Sequence, residues 1–242
     1  MLYFRRQVNR FVMIFQGRSG SSLLITAMDA HPRVRAKGEI LADAKDQGAQ
    51  TQLELAQACL SPPLIGRHAA VGFKTKLMDV LDPGGFSALL AQERPMLISL
   101  LRRNRVKLVV SWINSERLHE ARGRWQSYTD DDRPPVPFTI DVADFRCRLE
   151  TLERLRRDIK DFVSELELPT FSLFYEDLLA GRRETLGQVF SFLGVKNRSV
   201  KPKCIKTTSD DLRDVVANLD ELRSHYLGTP YERMFDEVLV TR

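Results

Sequence analysis

Apolar positions along the chain fall into two textures. Short runs rich in β-branched and aromatic residues stand at 10–16, 69–73, 96–101 ("MLISLL") and 169–174 ("PTFSLF"). They are too short for helices and show no alternation, as expected of parallel strands buried on both faces. Between them lie segments with three- and four-residue spacing. The clearest is 141–167, where Val142, Phe145, Leu149, Leu152, Leu155, Ile159, Phe162 and Leu166 share one face after Asp141, a capping residue type. Further helices are predicted over 21–30, 50–60, 104–120, 183–193, stopped by Gly194, and 209–226. Strands alternating with helices predict an α/β fold with a central parallel sheet flanked by helices. The segment 121–138, "ARGRWQSYTDDDRPPVPF", carries three prolines and an acidic cluster and reads as a long exposed loop.

Composition changes this picture little. With 242 residues, 43% of them hydrophobic, the chain has material for a full core and is expected to form a single domain over 1–242. A net charge of +5 suits anionic ligands, but 37 basic against 32 acidic residues is too even to argue for nucleic acid. Cys59, Cys147 and Cys204 are odd in number and widely spaced, which indicates neither a disulfide framework nor a zinc site. Arg5, Arg6, Asn9 and Arg10 interrupt the N-terminal apolar residues, and no run approaches the ~20 residues of a membrane span. A cytoplasmic location is therefore expected, and the oligomeric state is not legible.

Chemistry enters where the first strand ends, in "FVMIFQGRSGSSLL". A strand that delivers Gly17, Arg18, Ser19, Gly20, Ser21 and Ser22 to the start of a helix presents backbone N–H groups, hydroxyls and a guanidinium at the positive end of a helix dipole. Two readings stand: an anion cradle, or an ordinary Gly/Ser turn that caps a helix. The usual nucleotide loop, G-x-x-x-x-G-K-[ST], is not matched, because no lysine precedes the serines. A second basic strand end lies in "LISLLRRNRVKLVVS". A magnesium-nucleotide enzyme would carry an aspartate there, whereas this chain has Arg102 and Arg103, so no metal is called for. Ser111 follows Arg103 by eight positions, which would let a phosphate sit between a strand-end guanidinium and a helix hydroxyl.

These paired motifs resemble the sulfotransferases that use 3′-phosphoadenosine 5′-phosphosulfate (PAPS). "RSGSSLLITAMDAHPRVRAKGEIL" is similar to the stretch in tyrosylprotein and bacterial carbohydrate sulfotransferases where R-S-G-[ST]-[ST] leads through a helix to H-P-x-V and G-E. "FSLFYEDLLAGRRETLGQVFSFLGV" looks like the family's Y-E-D-L segment, and "IKTTSDDLRDVVANLDEL" extends the match; residues 40–95 match poorly. The resemblance implies a P-loop-type nucleotide-binding fold of the sulfotransferase kind. It also implies that Arg18, Ser19, Gly20, Ser21 and Ser22 hold the 5′-phosphosulfate, that Arg103 and Ser111 hold the 3′-phosphate, and that Glu39 is the general base. Two departures stand out: Arg18 where many cytosolic members carry lysine, and Arg105 where a proline is common.

Other residues are weighed beside these. On its spacing alone Glu39 reads as a solvated loop carboxylate, and it is the family resemblance that makes it a base. Lys74 in "VGFKTKL" closes a strand and either points into the ligand crevice to assist the sulfuryl group or is a surface lysine. Lys206 and Thr207, with Thr208, reach a phosphate or belong to a capped helix start. His31 reads as a helix-ending residue, and His68, His119 and His225 lack metal-ligand spacing. Trp125 and Tyr128 in the 121–138 loop could wall an acceptor pocket. The expected function is sulfuryl transfer from PAPS to a hydroxyl of a carbohydrate, lipid, small molecule or tyrosine, with Glu39 as base, Arg18 and Lys74 as electrostatic stabilisers, and no metal. PAPS, its product adenosine 3′,5′-bisphosphate (PAP) and the acceptor are the expected partners, without nucleic acid. An atypical nucleotide kinase and a non-catalytic anion- or RNA-binding protein are the alternatives.

Overall fold

A computed structural model describes residues 8–61, 67–122, 137–200 and 209–238. Lys206, Thr207 and Thr208 lie outside the described residues, as do Cys204, Trp125 and Tyr128 with most of the 121–138 loop. Five strands form one parallel sheet: β1 (Asn9–Phe15), β2 (Val34–Lys37), β3 (Ala70–Thr75), β4 (Met96–Leu101) and β5 (Thr170–Phe174), in the order β2-β3-β1-β4-β5. From the central β1 the chain first builds one side of the sheet and then crosses to the other. The strand order therefore switches at β1, and in open parallel sheets ligands bind beyond the C-terminal strand ends at such a point.

The flat apolar texture follows from burial on both faces. Phe11, Met13 and Phe15 pack with α1 (Ser21–Asp29) and α8 (Arg182–Phe192), whereas Val12 and Ile14 join α3 (Ala49–Leu60), α4 (Pro83–Glu93) and α6 (Val142–Glu165) on the other side. A third cluster joins α5 (Arg105–Arg122), α6 and the C-terminal segments around Phe145, Val215 and Leu222. Asp141 caps α6, its side chain accepting from the Asp144 N–H at 2.8 Å. Three short helices, α2 (Ile40–Asp43), α7 (Tyr175–Ala180) and α10 (Glu232–Asp236), were not expected, nor were β2 and α4.

Two expectations are corrected. Residues 209–226 do not form one helix but a 3-10 turn (Leu212–Asp214) and the short α9 (Leu219–Ser224). The reason is backbone pairing across segments: the Phe138 N–H donates to the Val215 carbonyl at 2.9 Å, and the Ala217 N–H returns a bond to the Phe138 carbonyl at 2.9 Å. Those groups cannot also serve a helix. The 121–138 loop is correspondingly shorter at its ends. Ala121 and Arg122 belong to α5, and Phe138 is buried beneath the Arg117 guanidinium, 3.9 Å from its ring centroid.

Strand packing is close at Gly72 of β3, where a Cβ would run into the Phe11 carbonyl and ring. Gly72→Ala is expected to lower the unfolding free energy by about 1–3 kcal/mol through overpacking. Urea unfolding followed by circular dichroism measures it.

Candidate active site

The C-terminal ends of the strands bring the charged residues together. The loop after β1 turns through two left-handed residues, Arg18 (φ 63°) and Gly20 (φ 81°), before α1 begins at Ser21. Gly20 is required twice over: its φ disfavours a Cβ, and a Cβ there would strike the Tyr175 ring. A non-glycine residue at positive φ costs about 1–3 kcal/mol, and such strain concentrates at functional loops. Its result here is a tight turn that exposes the first-turn N–H groups of α1, which have no intrahelical partners.

Lys74, the fifth residue of β3, is buried, and its ammonium ties the site together. Nζ donates to Ser21 Oγ at 3.1 Å and to Ser22 Oγ at 3.0 Å, and lies 3.0 Å from Glu39 Oε1 and 5.0 Å from the Phe15 ring centroid. Glu39 follows β2 and receives a second lysine, with Lys76 Nζ at 3.1 Å from Oε2; Lys76 also pairs with Asp79 Oδ2 at 3.1 Å. Burial opposes the Glu39 charge, but Lys74 and Lys76 outweigh it and hold the carboxyl below the usual glutamate range. Burial likewise opposes the Lys76 charge, and Glu39 and Asp79 overcome it, raising that ammonium's affinity for its proton.

Arg18 donates from Nε to Ser111 Oγ at 3.3 Å, so the β1 loop and α5 meet there. Burial lowers its proton affinity, and repulsion from Arg102 lowers it further. Arg103 points elsewhere: its guanidinium forks onto Asp177 at 2.7 and 3.1 Å and lies 4.2 Å from the Phe174 ring centroid, with half of the side chain exposed. Thus Ser111 contacts Arg18, and Arg103 contacts the Y-E-D-L segment. Ser19 is fully buried, with its N–H bonded to the Gln16 carbonyl at 3.2 Å and its hydroxyl unpartnered. His31 is buried against Phe190, its Nε2 3.0 Å from the Lys196 carbonyl, away from Glu39's cluster.

Sequence reasoning passed over Lys76 and Glu176, and marked Arg102 only as a basic strand-end residue where a metal-site aspartate would stand. Lys74 and Lys76 are two residues apart at a strand end and so share a side, a signal that could have found the second lysine. Glu176 accepts the N–H groups of Arg103 and Asn104 at 2.9 and 3.1 Å, and fixes the entry to α5. The Asn104 side chain caps that helix by accepting the Lys107 N–H at 2.8 Å. Together these groups can bind an anion at Arg18, Ser21, Ser22, Lys74 and Ser111 beside an ionised carboxylate able to accept a proton. Among the described residues no group of three or more histidines, cysteines or carboxylates could hold a metal, and no helix is long and apolar enough to cross a membrane.

The fold is that of the sulfotransferases. The sulfotransferase from Alicyclobacillus acidocaldarius superposes with a TM-score of 0.52 at 15% identity, covering 94% of each chain. The sulfotransferase domain from the curacin biosynthetic pathway gives 0.52 at 16% identity, over 80% of this chain and 76% of that one. In sequence the chain is similar to nodulation protein H of Rhizobium tropici, with 23% identity over 236 residues that cover 93% of this chain and 92% of that protein. The Rhizobium meliloti protein of the same name is 23% identical over 239 residues, 93% of this chain and 94% of its own. No family model matches the chain. The resemblance drawn from the motifs is borne out, as is the parallel α/β architecture.

The lysine clamp has a pH signature. A carboxyl whose folded pKa is depressed adds stability above its unfolded value of about 4.3, and that contribution disappears as pH falls through the folded value. Glu39→Gln is expected to lower the unfolding free energy at pH 7 by about 1–3 kcal/mol, because it leaves two half-buried or buried ammonium groups short of an anion. The gap from wild type should close below about pH 4. Urea titrations across that range measure it.

Proposed function

We propose that the protein is a PAPS-dependent sulfotransferase that transfers the sulfuryl group to a hydroxyl of its acceptor. The observation that carries this reading is the position of Lys74 Nζ, within 3.1 Å of both loop serines and of the Glu39 carboxylate. One ammonium thereby joins an anion-binding loop to a proton acceptor, the two parts that in-line transfer to an alcohol needs side by side.

In this mechanism the 5′-phosphosulfate lies over the first turn of α1 with its oxygens on Ser21, Ser22 and the loop N–H groups. Arg18 and Lys74 face the charge that builds on the leaving phosphate oxygen and the sulfuryl oxygens. The acceptor hydroxyl attacks sulfur opposite the bridging oxygen, the S–O bond to the phosphate breaks, and Glu39 takes the hydroxyl proton. The products are the sulfate ester and PAP. Glu39 is a weak base while both lysines hold it. An anionic donor offsets part of the Lys74 charge and raises the carboxylate's proton affinity, so basicity rises when the donor is in place. Ser111 joins the donor site through Arg18, and Arg103 serves at its rim if a phosphate competes with Asp177.

The test is transfer from ³⁵S-labelled PAPS to a panel of hydroxyl compounds and cell-extract fractions. Labelled product is expected without added metal. Glu39→Gln should reduce kcat by ~10²–10⁴ while PAP still binds, because it keeps the side chain's shape and removes its basicity. Near-normal turnover of that variant at saturating substrates contradicts Glu39 as the base, and labelled product from no fraction contradicts the activity.

A further inference from the structure

The two arginines that follow β4 meet different environments. Arg103 is half exposed and forks onto Asp177 through both terminal nitrogens. Arg102 is only 6% exposed, lies 4.7 Å over the Tyr175 ring centroid, and has a buried Nε with no hydrogen-bond partner. The carboxylate nearest to it is Glu176, whose Oε1 is 3.9 Å from Nε. That contact is long, and both Glu176 oxygens already accept the backbone N–H groups at the start of α5. Arg102 therefore keeps a buried Nε–H that the described residues leave unfilled, at a depth where an incompletely paired guanidinium is costly.

The place of Arg102 in the fold indicates what accepts from it. The Tyr175 ring that Arg102 covers is the ring that a Cβ at Gly20 would strike, so one aromatic side chain touches both the β1 loop and this guanidinium. Arg102 is also near enough to Arg18 to repel it. We propose that Arg102 is an anion-binding residue of the β1 loop site, its guanidinium completed by an oxygen of the phosphate held between Arg18 and Ser22. This extends the PAPS reading for the identity of the anion; the requirement for an anion stands on the unpartnered Nε. The competing role is structural, a cation held by Tyr175 and Glu176 with Asp210 and Glu237 attracting it as well.

The two roles predict opposite results in ligand-free protein. Arg102→Gln and Arg102→Met would be compared with wild type by calorimetry, with PAP and with inorganic phosphate as probes, and by thermal unfolding without ligand. An anion-binding Arg102 predicts that PAP affinity falls at least about 30-fold, as when one partner of a desolvated charge pair is removed. The unfolding midpoint should hold or rise, because an under-paired buried cation has gone. A lowered midpoint with PAP affinity within about threefold of wild type overturns the proposal, as does a lowered midpoint accompanied by lost affinity. Failure of both variants to fold also overturns it, since Arg102 would then be satisfied within the protein. If wild type binds phosphate but not PAP, the donor reading fails and Arg102 is judged on phosphate by the same criteria. If wild type binds neither, both fail.

Discussion

The buried ammonium of Lys74 is the constraint on which the site depends. It closes β3 beside the central strand, where no solvent is available to stabilise its charge, and it must be compensated by the groups that converge on it. Ser21 and Ser22 come from the helix after β1, and Glu39 from the turn after β2. Satisfying one charge thus fixes three strand ends relative to one another, and the left-handed turn at Arg18 and Gly20 brings the serines into reach. A carboxylate in this position is not free to behave as an ordinary surface glutamate. Its ionisation is tied to whatever else takes the lysine's donors, and an anion on the loop would be the natural competitor.

A second junction stabilises the opposite side of the crevice. Glu176 and Asp177 open α7 directly after β5; Glu176 binds the backbone at the entry to α5 while Asp177 holds the Arg103 side chain. Tyr175 rests against the β1 loop and under Arg102. The Y-E-D segment therefore sets the geometry of two neighbouring strand ends. Its carboxylates have structural duties there, whereas Glu39 stands on the other side of the β1 loop, tied to it through Lys74.

The sheet was legible where its strands are buried on both faces, because short uninterrupted apolar runs such as those of β1, β3 and β4 belong in a sheet interior and are too brief for a buried helix; β5, an edge strand with only Leu173 buried, showed instead through its aromatic residues. β2 escaped because it is a four-residue edge strand, VRAK, half of it charged and alternating between buried and exposed. α4 escaped although Asp82 and Pro83 are good start signals and the Asp82 side chain does cap the Gly85 N–H at 2.9 Å; its two glycines weaken the helical pattern. The 209–226 segment misled because its apolar spacing suits a helix, while the decisive backbone bonds run to Phe138, more than seventy residues away. In the site, the Arg18 to Ser22 loop, Lys74 and Glu39 could be picked out singly, from strand-end position and motif. That one ammonium binds Glu39 and the serines together is a tertiary fact with no local signal. The allotment of Arg102 to the interior and Arg103 to Asp177 was equally hidden, since adjacent arginines look alike in sequence.

The central claim, that Lys74 couples the anion loop to Glu39, is tested most directly by carboxyl-detected NMR titration of Glu39 with the loop empty and with PAP bound. The account predicts a Glu39 pKa below the usual glutamate value in the empty protein, and a clear upward shift when the bisphosphate draws on Lys74. A Glu39 pKa that stays unchanged, or falls further, while PAP saturates the protein would contradict it.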